Sequence, residues 1–155
     1  MRSVRNIGSL KGKKVILRAD FNVSLSGNKI LDPLRIKAAF PTIDILLKKG
    51  ACVVIVSHSD LKDDTQTLAP VAKYLSKYYK IKFLSETPDS LKYEKGVVYM
   101  LENIRRNKGE VANDASFAKS IARLGDVYVN EAFPVSHREH ASIVGVPKYL
   151  PSYAG

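Results

Sequence analysis

The chain has 155 residues, of which 45% are hydrophobic and 26% charged, as in an ordinary single globular domain. Its 25 Lys and Arg against 15 Asp and Glu give a net charge of +10, which favours anionic partners. The single cysteine, Cys52, excludes a disulfide framework and a cysteine zinc site, and no apolar run reaches the roughly 18 residues of a membrane span. We therefore expect a soluble protein of the reducing cytosol, without a signal peptide.

The first half of the chain predicts two strands with a helix between them. Val15–Ala19 predicts a strand, and a turn follows at residues 26–28. Arg35–Lys49 predicts a helix with one apolar face, although Pro41 should kink it or delay its start. The unbroken apolar run Ala51–Val56 is typical of a strand that is covered on both faces.

The second half continues the alternation of helices and strands. The predicted elements are a helix at Leu68–Tyr79, strands at Ile81–Leu84 and Val97–Leu101, a helix at Asp114–Leu124 and a strand at Val127–Asn130. This order predicts one α/β domain over residues 1–155, a three-layer Rossmann-like fold. Its sheet should be mainly parallel, with helices on both faces.

Polar and charged side chains follow several of the predicted strands. In an open α/β sheet the carboxyl ends of the strands border one crevice, and ligands bind there. The side chains concerned are Asp20, Asn22, Arg35, His58, Arg105 and Arg138. Taken singly, each has an ordinary explanation, such as a capped turn for Asp20 and Asn22 or a solvated arginine for Arg35. Together they predict a site for a small anion.

Other candidate motifs are weaker or absent. There is no G-x-x-x-x-G-K-[ST] loop and no G-x-G-x-x-G turn after a strand. His137 and His140 have the spacing of a metal pair, but no third ligand is evident, so we favour a phosphate-facing Arg138 flanked by supporting histidines and expect no metal. Of Arg105 and Arg106, one should face solvent and the other an oxyanion.

Seven segments closely resemble the motifs of phosphoglycerate kinases. In chain order they are VILRADFNVSLSGNKILDPLRIKAA (15–39), VVIVSH (53–58), LAPVAKYL (68–75), LENIR (101–105), LGDVYVNEAF (124–133), HREHAS (137–142) and LPSYAG (150–155). The resemblance implies that the six residues named above match those that hold 3-phosphoglycerate. It also implies that Arg35 matches the catalytic arginine that stabilises the phosphoryl group during transfer.

One loop departs from the family pattern. The family usually follows its strand-end histidine with Leu-Gly-Arg-Pro, whereas this chain has Ser-Asp-Leu-Lys at positions 59–62. Leu61 takes the place of a phosphate-binding arginine, and Asp60 adds a repelling negative charge, for which Lys62 could compensate through a shifted backbone. We therefore expect the substrate phosphate to be held less well than the family pattern allows.

The family's enzymes bind Mg-ATP or Mg-ADP through a C-terminal domain, joined to the first by a long helix. This chain stops at Leu150–Gly155, about where that helix should begin. The resemblance therefore implies the 3-phosphoglycerate-binding half of a glycolytic kinase: a cytoplasmic monomer that binds no cofactor and is inactive alone. Its expected ligands are 3-phosphoglycerate or 1,3-bisphosphoglycerate.

Two alternative functions remain open. The chain can be a stand-alone module that binds a phosphorylated metabolite, or, given its basic charge, a nucleic-acid-binding domain. Nucleic-acid binding favours exposed aromatics along a basic stripe. Here Tyr74, Tyr78 and Tyr79 cluster in a predicted helix in a manner typical of packing, so we do not expect a nucleic-acid partner.

Overall fold

The computed structural model describes residues 2–60 and 66–155 and is built on one six-stranded sheet. The strands of this sheet are β1 (Lys14–Arg18), β4 (Cys52–Val56), β5 (Lys80–Leu84), β6 (Val97–Leu101), β7 (Val127–Asn130) and β8 (Ser152–Ala154). Their order across the sheet is β5-β6-β4-β1-β7-β8, and all neighbouring strands run parallel. A separate hairpin joins β2 (Leu25–Ser26) to β3 (Lys29–Ile30).

Short helices connect the strands. They are α1 (Leu34–Ala38), α2 (Phe40–Lys48), α3 (Ala69–Leu75), α4 (Lys108–Val111), α5 (Ala115–Ala122) and a π-helix at Ala141–Gly145. Single 3-10 turns lie at Val4–Asn6, Ile104–Arg106, Phe133–Val135 and Val146–Lys148. In the described ranges, no helix has the length and apolar character that crossing a membrane requires.

Two hydrophobic clusters, one on each face of the sheet, make the fold three-layered. On one face Ile43 of α2 and Leu75 of α3 pack with alternate strand residues such as Leu17. On the other face Ile121 of α5 packs with the intervening strand residues such as Ile16. The predicted three-layer α/β fold with helices on both faces is therefore confirmed.

The predicted helices begin and end where local chemistry allows. The helix predicted over Arg35–Lys49 is split at Ala39 into α1 and α2, with Pro41 in the first turn of α2. Proline is accepted there because the first turn needs no amide donor. The helix predicted over Leu68–Tyr79 was too long, since α3 ends at Leu75 and a turn follows. Strand β8 and helix α4 were not predicted.

Candidate anion-binding site

The site lies where β1, β4, β6 and β7 end. Backbone hydrogen bonds join the segments just beyond the strands: the amide of Ala19 donates to Val56 (3.0 Å), and that of Ile104 to Ser57 (3.1 Å). The amide of Glu131 donates to the carbonyl of Arg18 (2.9 Å). Residues from distant parts of the chain are thereby brought to one edge of the sheet.

On one side of this edge a chain of polar contacts begins at Arg35. Its Nη1 donates to Oδ2 of Asp20 (2.9 Å), and Oδ1 of Asp20 accepts from the backbone amide of Asn22 (3.2 Å). The Asn22 side chain then donates from Nδ2 to Oδ2 of Asp60 (2.9 Å) and accepts from the Asp60 amide (3.1 Å). Asp20 is buried, whereas the Arg35 side chain is 54% exposed. Arg35 is thus anchored at one point while its guanidinium still faces solvent.

Arg105 and Arg106 differ in exposure, and one of the two faces solvent, as predicted. The Arg105 side chain is only 9% exposed and pairs through Nη1 with Oδ1 of Asp60. Its Nε and Nη2 are buried and have no hydrogen-bond partner within residues 2–60 and 66–155. Arg106 is 47% exposed and pairs with Glu102 (3.1 Å). Burial, together with neighbouring arginines, lowers the pKa of Arg105 to about 10, so it remains protonated near neutral pH.

The structure determines how His58 is protonated. The residue is fully buried, and its Nδ1 lies 3.0 Å from Nη2 of Arg18. A guanidinium can only donate, so Nδ1 accepts and the ring proton is on Nε2. Burial, followed by the charges of Arg18, Arg105 and Arg138, lowers the pKa of His58 to about 2. His58 is therefore a neutral N–H donor at physiological pH, and Nε2 has no hydrogen-bond partner in the described part of the chain.

A buried network behind the site was missed in the sequence. Arg18 is fully buried at the end of β1 and donates from Nε to the hydroxyl of Ser142 (2.7 Å) and from Nη1 to the carbonyl of Ala19 (2.5 Å). Ser142 in turn donates its hydroxyl and its amide to the buried carboxylate of Glu110 (2.5 and 2.8 Å). Burial lowers the pKa of Arg18, and the charge of Glu110 opposes that shift. This network holds Arg18 against His58.

Arg138 and His140 complete the site from the loop after β7. The charge of Arg138 contributes to the lowered pKa of both His58 and Arg105. His140 has a buried Nδ1 without a hydrogen-bond partner among the described residues, and burial also lowers its pKa. His137 is exposed. Among the described residues no three His, Cys, Asp or Glu side chains are grouped to hold a metal ion.

Contacts, direct or through Asp60, connect five of the six predicted residues: Asp20, Asn22, Arg35, His58 and Arg105. Arg138 is related to them through its electrostatic effect alone. In the loop that departs from the family pattern, the structure describes Asp60. Leu61 and Lys62 lie outside the described residues. Asp60 brings a negative charge to the site, as expected from the sequence. It also contacts Arg105 and Asn22 directly, which the sequence did not predict.

Comparisons with known proteins show which family the chain resembles. The family model described as phosphoglycerate kinase matches residues 4–155. The chain is 42% identical over 167 residues to the phosphoglycerate kinase of Borrelia garinii, covering 100% of this chain and 42% of that relative. It is 46% identical over 158 residues to that of Dictyoglomus turgidum, covering 94% of this chain and 40% of the relative.

Solved structures give the same result. The phosphoglycerate kinase of Coxiella burnetii superposes with a TM-score of 0.89 and 35% identity, over 98% of this chain and 40% of that one. The enzyme of Pyrococcus horikoshii superposes with a TM-score of 0.85 and 27% identity, over 100% of this chain and 42% of that one. The chain spans about two-fifths of the length of these relatives. Because the family model matches nearly every residue, the chain belongs to the phosphoglycerate kinase family.

Proposed function

We propose that this chain is the part of a phosphoglycerate kinase that binds 3-phosphoglycerate or 1,3-bisphosphoglycerate. In this proposal residues 1–155 form one domain equivalent to the N-terminal part of the relatives. The reaction is phosphoryl transfer between 1,3-bisphosphoglycerate and ADP, which gives 3-phosphoglycerate and ATP. The single Cys52 and the family's place in glycolysis support a cytoplasmic location, and we propose a monomer.

One observation carries the proposal. Buried nitrogens without a hydrogen-bond partner, counted over the described residues, all belong to three neighbouring side chains: His58, Arg105 and His140. An unsatisfied buried polar group costs about 1–3 kcal/mol, so folded proteins rarely leave one and seldom group several together. A cluster of unsatisfied buried nitrogens is explained if a bound ligand supplies their hydrogen-bond partners. Since Arg105 is a cation and His58 a neutral donor, that ligand should carry anionic oxygens.

The same geometry suggests a role for each predicted residue. Arg105 and Arg138, with the N–H of His58, would hold an anionic group of the substrate at the inner end of the site. Asp20 and Asn22 present a carboxylate and an amide suited to substrate hydroxyls. Arg35, half-exposed and fixed by Asp20, would face the phosphoryl group and stabilise its negative charge during transfer.

The nucleotide is assigned to a different part of the enzyme. The sequence has no glycine-rich phosphate loop of either common type. We propose that Mg-ATP or Mg-ADP binds in the three-fifths of the relatives that this chain does not span. The chain by itself should therefore bind substrate but catalyse no turnover.

Nucleic-acid binding has less support. The basic charge suggests this alternative, but the clustered tyrosines pack with Phe40 and with each other: Phe40 lies 5.0 Å from Tyr78 and 5.4 Å from Tyr79, centroid to centroid, and Tyr74 lies 5.7 Å from Tyr78. Tyr74 and Tyr79 are half-buried, and Tyr78, at 53% exposure, is the one of these three tyrosines with much surface left for stacking a base.

Calorimetry with a matched pair of arginine variants tests the proposal. The chain should bind 3-phosphoglycerate, and glycerate, which lacks the phosphate, should bind far more weakly. Arg105→Gln should weaken 3-phosphoglycerate binding by roughly 10- to 100-fold, the value of a charge-assisted hydrogen bond of about 1.5–3 kcal/mol. Arg106→Gln removes an equal charge one residue away, at an exposed position, and should weaken binding far less.

Two results would contradict the proposal. One is equal binding of 3-phosphoglycerate and glycerate, which would show that the site does not recognise a phosphate. The other is an equal loss in the two arginine variants, which would show that only net charge matters. Stronger binding to generic DNA than to 3-phosphoglycerate in a salt titration would favour the nucleic-acid alternative.

A further inference from the structure

The carboxylate of Asp60 lies among the donors assigned above to the ligand. Its Oδ1 pairs with Nη1 of Arg105, and its Oδ2 accepts from Nδ2 of Asn22 (2.9 Å). The same Oδ2 lies 4.0 Å from Nε2 of His58. A guanidinium, an amide and an imidazole thus surround one carboxylate, as they would surround an anionic group of a substrate.

Resting on the proposed function, we propose that Asp60 is an internal counter-ion that occupies the anion site of the ligand-free protein and competes with the substrate. Two anions cannot share these donors, because like charges a few ångströms apart repel each other. The Asp60 carboxylate must therefore leave Arg105 before a phosphate or carboxylate group of the substrate takes its place.

The exposure of the two partners shows which one moves. The Arg105 side chain is 9% exposed, whereas that of Asp60 is 36% exposed. Asp60 can therefore turn to solvent and be hydrated, while Arg105 stays buried and needs an anion. Asp60 then has two effects: it keeps Arg105 paired in the free protein, and it lowers the affinity for every anion that uses Arg105.

Asp60→Asn is the informative change because it removes the charge and keeps the shape. Glu94→Gln is its matched control. Glu94 is 59% exposed, pairs weakly with Lys82 (3.8 Å), and lies just before β6, at the end of the sheet opposite the site. Both variants gain one unit of positive charge, so long-range attraction of anions increases equally in the two.

Each protein is titrated by calorimetry at low salt with inorganic phosphate, 3-phosphoglycerate and glycerate. Asp60→Asn should bind phosphate and 3-phosphoglycerate about tenfold tighter than the unaltered chain, a gain equivalent to about 1.4 kcal/mol. Glu94→Gln should gain less than about twofold. The inference is overturned if Asp60→Asn gains nothing, if it gains no more than Glu94→Gln, or if no protein binds phosphate.

The outcomes separate this inference from the proposed function. If Asp60→Asn tightens phosphate binding but 3-phosphoglycerate binds no better than phosphate, the internal counter-ion stands and the proposed substrate fails. If the unaltered chain prefers 3-phosphoglycerate and Asp60→Asn changes nothing, the substrate stands and the internal counter-ion fails.

A measurement on the unaltered chain covers the case in which Asp60→Asn does not fold. The side-chain amide of Asn22 donates to Asp60, so its NMR signals should shift on addition of phosphate as that acceptor leaves. Asn22 signals that stay constant while phosphate saturates the site would refute the inference.

Discussion

Replacing Glu110 by glutamine tests the buried network behind the anion site. Glu110 has no exposed surface, and its two oxygens accept the hydroxyl and the amide of Ser142. Glutamine turns one of these acceptors into a donor. If the new NH2 faces the Ser142 amide, two donors oppose each other. If it faces the hydroxyl, which already accepts from Arg18, that hydroxyl must direct its proton elsewhere.

The expected loss of stability has two contributions, one from a hydrogen bond and one from a charge. One buried hydrogen bond is lost in either orientation, at about 1–3 kcal/mol. Arg18 also loses the largest of the opposite charges that favour its protonated form, and removing one partner of a buried charge pair costs about 3–5 kcal/mol. The two terms overlap, and we expect the free energy of unfolding to fall by about 3 kcal/mol. In a chain of this size that corresponds to a melting temperature lower by roughly 6–12 °C.

Urea denaturation followed by circular dichroism measures this change, with Glu94→Gln as the control. The exposed Glu94–Lys82 contact should contribute less than about 0.5 kcal/mol, so the control should unfold like the unaltered chain. A Glu110→Gln variant within about 0.5 kcal/mol of the unaltered chain would refute the reasoning, because the buried carboxylate would then stabilise nothing.

Two further predictions concern pH and activity. His58 has a pKa of about 2 in the folded state and about 6.5 in the unfolded state, so between these pH values the unfolded state binds one more proton. The free energy of unfolding should therefore fall as the pH decreases below 6.5, by up to about 1.4 kcal/mol per pH unit. In urea denaturation between pH 6.5 and 4.5, His58→Gln should flatten the dependence of the unfolding free energy on pH, whereas His137→Gln, at an exposed position, should not. An unchanged pH dependence in His58→Gln would contradict a buried neutral imidazole. The chain alone should produce no ATP from 1,3-bisphosphoglycerate and ADP in a coupled assay. This would be disproved if a preparation free of host enzyme showed turnover and if Arg35→Ala abolished that turnover.

Much of the fold could be predicted because its signals are local. The apolar runs that became β4 and β6 are continuous, as expected of strands covered on both faces. Pro41 marked the division between α1 and α2 because its ring removes a donor and restricts the chain. Strand β8 gave no comparable signal: it has three residues, and its pairing with β7 depends on a chain segment more than twenty residues away.

The buried network shows where sequence reasoning stops. Strand alternation places Arg18 on the same face of the sheet as Ile16, toward α5 and the π-helix. The position of Arg18 on that face can be derived from the sequence. The hydrogen-bond partners of Arg18 cannot be derived in this way, because Ser142 is 124 positions away and Glu110 reaches Ser142 from a separate short helix. An arginine at the end of a buried strand was the only available signal.

The charges at the site explain why a resemblance located its residues but not their pairing. Motifs identify positions, whereas pairing depends on the balance of charge at those positions. At physiological pH His58 is neutral, and the described site holds four cations (Arg18, Arg35, Arg105 and Arg138) and four carboxylates (Asp20, Asp60, Glu110 and Glu131). These charges cancel, which leaves nothing to balance a phosphate of about −1.5 to −2. Moving Asp60 into solvent leaves one positive charge beside the ligand. Asp20 and Glu110 are buried, and Glu131 is half-buried and accepts a hydrogen bond from Thr42, so the more exposed Asp60 is the carboxylate best placed to supply this change.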